Sequence, residues 1–261
     1  MPINTLAGKR AVITGAGRGI GRAIALTLAE AGADIGVTAR TLPDLELLAS
    51  DLEAMGRRCF FTACDVTDVE QVAQMASTLT RDLGGIDILV NNAGSAESHK
   101  FLGHPDELWH RMVAANLTSV YYVTRAFLPS LMEQQGGRII NIASTAARVG
   151  EKYVAAYTAA KHGVLGLTRS IAAELMQNNI TVNAVCPGFV DTQMTQTSID
   201  NIVRRTGMNE QEARAALEKT NPQGRLITPE EVASVVLFLV QESSGSITGQ
   251  AINVDGGGVM S

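Results

Sequence analysis

Short apolar runs alternate along this chain with longer stretches in which apolar residues recur every three or four positions. The short runs have the length of strands, and the longer stretches have the period of amphipathic helices. Strands are predicted over residues 10–14, 34–38, 58–63, 86–90, 138–142, 181–185 and 250–254. Helices are predicted over 20–31, 42–55, 69–83, 106–134, 154–177 and 229–240, with Gly32, Gly56 and the Gly84-Gly85 pair ending the first three. The run 86–90 (IDILV) is mostly apolar rather than alternating, as a strand covered on both faces should be. Strands spaced by helices make βαβ units, and right-handed crossovers join these into a parallel sheet. The predicted fold is α/β: a doubly wound parallel sheet of about seven strands, helices on both faces, in a single domain over 1–261.

One stretch breaks the rhythm. Residues 191–223 are polar, contain Gly207, and hold a helical segment at 210–219 (EQEARAALEK). An insertion at the carboxyl end of a strand is where an α/β enzyme carries its substrate lid, and that role is expected here.

Composition narrows the partners. The net charge is −5 and no basic tract stands out, so a nucleic-acid partner is not expected. Cys59, Cys64 and Cys186 lie in apolar, strand-like runs and are expected to be buried, reduced thiols rather than a disulfide or metal site. The opening MPINTLAGKR lacks the apolar stretch of a signal peptide, and no run approaches the roughly 18 apolar residues of a membrane span. A soluble, cytoplasmic protein is expected.

The first turn carries the strongest chemical motif. Thr14 to Gly21 reads TGAGRGIG, between the first strand and the first helix. Gly15, Gly19 and Gly21 permit a tight turn and close approach of a pyrophosphate; Gly17 adds a fourth glycine. The helix beginning near Ile20 offers free N–H groups to phosphate. This is the context of a Rossmann-type dinucleotide site. An NAD site usually ends its second strand with an acid that holds the ribose 2′-hydroxyl. Here the strand ends VTAR, with Ala39 and Arg40, and Arg18 lies in the loop. A guanidinium binds a 2′-phosphate, so NADP(H) is expected in preference to NAD(H).

A second motif lies on the helix at 154–177. Tyr157 and Lys161 are four apart and share a helix face. A neighbouring cation lowers a phenol's pKa, which would make Tyr157 an acid or base usable near neutral pH. Ser144 follows the fifth strand, placed to hydrogen-bond a substrate carbonyl. Asn116 lies inside the long helix 106–134, where a mediocre helix former invites a reason. His162 is expected to pack against its neighbours and Trp109 to pack its own helix. His99, His104 and His110 show no metal-ligand spacing, and no metal is expected.

Together these motifs resemble the short-chain dehydrogenase/reductases. The loop Thr-Gly-x-x-x-Gly-x-Gly, the NNAG of Asn92, Ala93 and Gly94, the thirteen residues from Ser144 to Tyr157, and CPGFVDT carry the likeness from Gly8 to Gly257. Within the family the look is nearest to 3-oxoacyl-carrier-protein reductases and polyketide ketoreductases. The resemblance implies a catalytic tetrad of Asn116, Ser144, Tyr157 and Lys161. It implies that Asp65 meets the adenine, with Val66 beside it, although Asp65 could also cap the helix that begins near Val69. It implies that Pro187 and Gly188 shape the turn beneath the nicotinamide and that Val190 and Thr192 meet its carboxamide. It implies an NADP(H)-dependent carbonyl reductase or alcohol dehydrogenase, with a 3-oxoacyl thioester or a cyclic or steroid-like alcohol among the candidate substrates. A cofactor-binding regulator without turnover is the reading from another class, and the complete tetrad argues against it. Family members are commonly tetramers, so a homo-oligomer is expected. Two features depart from the pattern: the length of 191–223, and SAES after NNAG in place of Gly-Gly. Both lie around the substrate.

Overall fold

The computed structural model describes residues 5–134 and 136–260. The first four residues of the MPINTLAGKR reading lie outside that range. Seven strands form one parallel sheet: β1 (Arg10–Thr14), β2 (Asp34–Ala39), β3 (Cys59–Ala63), β4 (Ile88–Asn91), β5 (Gly137–Ile142), β6 (Ile180–Pro187) and β7 (Ala251–Val254). Their order is β3-β2-β1-β4-β5-β6-β7. The chain winds outward from β1 to β3, then returns past β1 to start β4. The strand order therefore reverses between β1 and β4, and the carboxyl ends of the strands open a crevice there.

Alternate strand residues face opposite layers. Ile13, Val90, Ile140 and Val185 pack with α1 (Gly19–Glu30), α2 (Leu42–Ala54) and α9 (Pro229–Val240). Val12, Leu89, Ile139 and Val182 pack with α3 (Val69–Leu83), α5 (Ser119–Glu133) and α6 (Ala155–Leu175). Burial of each large apolar side chain in these layers stabilises by about 1.5–3 kcal/mol.

Three predicted elements need correction. The helix expected at 106–134 is α4 (Asp106–Val113), a π-helical turn over Ala114–Thr118, and then α5. The helix expected at 154–177 stops at Leu175 and tightens into a 3₁₀ turn over Met176–Asn178. The segment 191–223 holds two helices rather than one: α7 (Gln193–Thr206) precedes α8 (Glu210–Glu218). The stripe of α7 is thin, with Ile199 buried and Ile202 and Val203 partly so, because it packs on a local cluster with Ala213, Leu217 and Leu226 rather than on the main core. Trp109 is 40 % exposed and does not pack its helix inward; Leu108 and Met112 do. The three cysteines are free, with Cys64 and Cys186 buried and Cys59 only partly so. Among the described residues no helix is long and apolar enough to cross a membrane.

A chain of buried polar side chains crosses the second layer. Asn91 Nδ2 donates to Thr124 Oγ1 at 2.9 Å and to Asn141 Oδ1 at 2.8 Å. Asn141 Nδ2 donates to Thr168 Oγ1 at 2.9 Å, and the Thr168 hydroxyl donates to the Val164 carbonyl at 2.7 Å. This ties β4 to β5, β4 to α5 and β5 to α6. Removing its middle member takes one acceptor from the Asn91 amide and one donor from the Thr168 hydroxyl in the interior, and leaves each with a single partner. Asn141→Ala is expected to lower stability by about 2–3 kcal/mol, read as a reduced urea midpoint. A loss under about 0.5 kcal/mol would show that the chain does not hold these elements together.

Candidate active site

Two loops meet at the crevice. The glycine loop leaves β1, and residues 91–94 leave β4. Asn92 Nδ2 donates to the carbonyls of Thr14 and Gly15 at 2.9 and 3.0 Å. The backbone N–H groups of Asn92 and Ala93 donate to Thr14 Oγ1 at 3.0 and 3.1 Å. Gly15 has φ +65°, and a Cβ there would lie 2.8 Å from Ala93 Cα. A Cβ on Gly21 would lie 2.4 Å from the Gly15 carbonyl oxygen, so no side chain fits between loop and helix.

Helix α1 begins at Gly19 with Arg18 at its N-cap, and no side chain caps it. By contrast, Asp68, Asn209 and Thr228 cap α3, α8 and α9. The first amides of α1 take no side-chain cap and remain available to an anion. Ile20, in the first turn, is partly buried. A Cβ on Gly19 would lie 3.2 Å from Thr192 Cγ2, so the segment after β6 reaches over the loop. That segment is turned by Pro187 and Gly188, whose N–H donates to Val254 O at 3.0 Å. Val190 is buried, and its carbonyl accepts from the hydroxyls of Thr192 and Thr195 at 3.4 and 2.5 Å.

Arg18 and Arg40 are both exposed. An acid that the sequence reading left out also reaches this place. A Cβ on Gly17 would lie 2.9 Å from Asp44 Cβ and 3.7 Å from Ala39 Cβ. The carboxylate comes from the first turn of α2 rather than from the end of β2. Its signal was the Leu-Pro-Asp that opens a helix. Asp65 does not cap α3, which Asp68 does. Asp65 Oδ1 instead accepts from the Thr67 N–H and hydroxyl at 2.9 and 2.7 Å, and Val66 beside it is partly buried.

The four remaining candidates converge beyond β5. Ser144 starts a 3₁₀ turn over Thr145–Ala147, its Oγ accepting from Ala146 N–H at 3.1 Å. The Ser144 side chain lies near enough to the Tyr157 phenol to pull its pKa down. Lys161 is buried, and its Nζ donates to the Ile142 carbonyl at 2.8 Å. Asn116 occupies the π-helical turn, a feature that often marks functional positions. Its Nδ2 donates to the carbonyls of Met112 and Ser95 at 2.9 and 2.8 Å, and its Oδ1 accepts from Ser95 N–H at 3.2 Å. The widened turn thus gives the mid-helix asparagine its reason. A Cβ on Gly94 would lie 2.7 Å from Asn116 Oδ1 and 3.7 Å from Lys161 Nζ, so the glycine lets these two approach.

The electrostatics differ from the sequence expectation. Burial pushes the Tyr157 phenol up to about 12; the Ser144 side chain pulls it back, and nearby Glu151 and Cys186 push it further up. Burial lowers the Lys161 ammonium to about 8, opposed by Cys186. The expected lowering of the phenol by its neighbour is absent. Desolvation penalises both charged forms, and the ammonium points at a carbonyl, 5.7 Å from the centre of the Tyr157 ring. His162 is exposed rather than packed, its Nδ1 3.0 Å from the Thr158 carbonyl oxygen. Sequence reasoning missed Glu151 and Cys186 beside the phenol, since their proximity comes from loop and sheet packing.

A family model described as enoyl-(acyl carrier protein) reductase matches residues 15–258. The chain is 38 % identical over 252 residues to a D-beta-hydroxybutyrate dehydrogenase of Rhizobium meliloti, covering 95 % of this chain and 98 % of that one. It is 39 % identical over 252 residues to a 3-oxoacyl-[acyl-carrier-protein] reductase of Vibrio harveyi, covering 97 % and 98 %. A crystal structure of a tryptophan variant of actinorhodin polyketide ketoreductase with NADPH superposes with a TM-score of 0.92 at 37 % identity, covering 95 % and 96 %. With the sheet order, the glycine loop and these full-length likenesses in agreement, the chain belongs to the short-chain dehydrogenase/reductase family of oxidoreductases.

Proposed function

We propose that this protein is an NADP(H)-dependent carbonyl reductase acting on a ketone, with 3-oxoacyl thioesters within its range. The single observation that carries the reading is the buried Lys161, its Nζ 5.7 Å from the centre of the Tyr157 ring and 2.8 Å from the Ile142 carbonyl at the end of β5, on the crevice shared with the uncapped α1. The nicotinamide cofactor, when bound, supplies the hydride. Residues of the glycine loop and the first amides of α1 hold its pyrophosphate, and Arg18 and Arg40 hold the 2′-phosphate. Asp65 and Val66 meet the adenine, and Asn92, Ala93 and Gly94 meet the adenine ribose. Lys161 clamps the nicotinamide ribose, and Pro187, Gly188, Val190 and Thr192 hold the carboxamide side. The relative solved with NADPH supports this choice of cofactor.

Ser144 orients and polarises the substrate carbonyl. Tyr157, held protonated by its burial, donates the proton to the substrate oxygen. Asn116 holds the path by which Lys161 exchanges protons with solvent. Residues 191–223 cover the substrate, with α7 and α8 moving as the small cluster they form. The proposal includes a single domain, a cytoplasmic location and a homotetramer built on α5 and α6.

Three outcomes test it. Tyr157→Phe is expected to cut kcat by about 10²–10⁴-fold while leaving the NADPH Kd within about threefold, because a general acid is lost while the glycine-loop and Lys161 contacts to the cofactor remain. Retention of half the wild-type rate would remove Tyr157 from the chemistry. Ala39→Asp is expected to shift the ratio of kcat/KM for NADPH over NADH by at least about tenfold toward NADH, since an acid repels a 2′-phosphate; an unchanged ratio overturns the cofactor assignment. The reductase rate is expected to fall as pH rises through about 8. Lys161 carries its charge below that value and loses it above, whereas Tyr157 keeps its proton to about 12. In Lys161→Arg the falling limb should move to higher pH, since a guanidinium does not titrate there. A limb unmoved by that substitution belongs to another group.

A further inference from the structure

The loop between the 3₁₀ turn and α6 carries a charge that the chemistry above does not use. Glu151 is partly buried, and its Oε1 accepts from the Thr145 hydroxyl at 3.4 Å. Thr145 adjoins Ser144, so the carboxyl sits one residue from the group that orients the carbonyl. Glu151 also lies close enough to Tyr157 to act on its phenol directly. The loop is held in place. Tyr153 adopts φ +70°, a left-handed conformation that a bulky residue keeps only when its surroundings impose it. Its carbonyl accepts from the His99 N–H at 2.7 Å, which ties the loop to the segment after β4.

Among the described residues the carboxyl forms no ion pair. Arg148 and Lys152 share its loop, yet neither forms an ion pair with it among the described residues. Arg148 acts on Cys186 of β6, and Lys152 is exposed. Lys161, on α6, is turned to the Ile142 carbonyl, and His99, across the loop, has its Nδ1 at the Lys100 carbonyl. The remaining wall of the loop is apolar, with Val149 and Tyr153 exposed. Burial raises the carboxyl above the ordinary range for glutamate, with the Thr145 hydroxyl opposing.

We infer that Glu151 sets the substrate class: its charge beside Ser144 and Tyr157 rejects ketones that carry a carboxylate near the carbonyl and admits uncharged ones, such as 3-oxo esters and thioesters. The inference rests on the reductase reading above.

Acetoacetate and ethyl acetoacetate share a skeleton and differ in charge. With NADPH at pH 8, the wild type is expected to favour the ester by at least about tenfold in kcat/KM, the scale of one like-charge contact in a partly wet site. In Glu151→Gln the ester-to-anion ratio should fall about tenfold, through the KM of acetoacetate, whereas Glu151→Asp should keep the wild-type preference. A wild type that reduces both equally, or a ratio unmoved in Glu151→Gln, overturns the inference. A second readout does not need turnover: the Kd of 3-hydroxybutyrate and of its ethyl ester for the NADP-loaded protein, by calorimetry. The anion should bind about tenfold more tightly to Glu151→Gln than to the wild type, relative to the ester. If neither ketone oxidises NADPH but this shift appears, the reductase reading fails and the charge filter stands. If turnover is present and both ratios stay fixed, the filter fails alone.

Discussion

The site depends on a hydrogen-bonded chain of four buried side chains, Asn91, Thr124, Asn141 and Thr168. Backbone ladders alone fix β4 against β5, but they leave the helices free to slide over an apolar sheet. The asparagine amides remove that freedom, because a shifted helix would strand a donor or acceptor where no water reaches it. The elements so fixed are those that carry chemistry at their ends. β4 leads into Asn92 and Gly94, β5 into Ser144, α5 out of the turn that holds Asn116, and α6 bears Tyr157 and Lys161. A polar chain in the second layer thus sets the spacing of groups in the crevice.

Burial then does two things at that crevice. It keeps the phenol protonated and it weakens the ammonium's hold on its proton, because both ionised forms lose water. Lys161 remains tolerable in the interior through its bond to the Ile142 carbonyl. The same low polarity lengthens the reach of Glu151, whose unpaired charge would matter little on an open surface.

Residues 191–223 pack as a small unit of their own. The helices α7 and α8 have a small cluster of their own, with Ile199, Ala213, Leu217 and Leu226, and ion pairs such as Arg214 with Asp191 at 2.8 Å. Such surface pairs contribute little, typically under 1 kcal/mol.

Much of this was legible in the chain. Periodicity located every strand within two residues at its amino end, because strand and helix periods differ and glycines punctuate the helices. The motifs around Gly15, Asn92, Ser144 and Tyr157 were visible because short spacing within one turn or one helix fixes relative position. Less legible were α7, whose apolar stripe serves only a local cluster, and the π-helical turn, whose bond pattern leaves the apolar period almost unchanged. Asp44 beside Gly17 and Glu151 beside Tyr157 depend on how separate segments pack, which no local pattern encodes. The direction of the Tyr157 shift follows the same rule. Sequence determined which residues neighbour one another along the helix; only the tertiary structure decided how much water surrounds them and where the ammonium points, and those two quantities set the charge of the site.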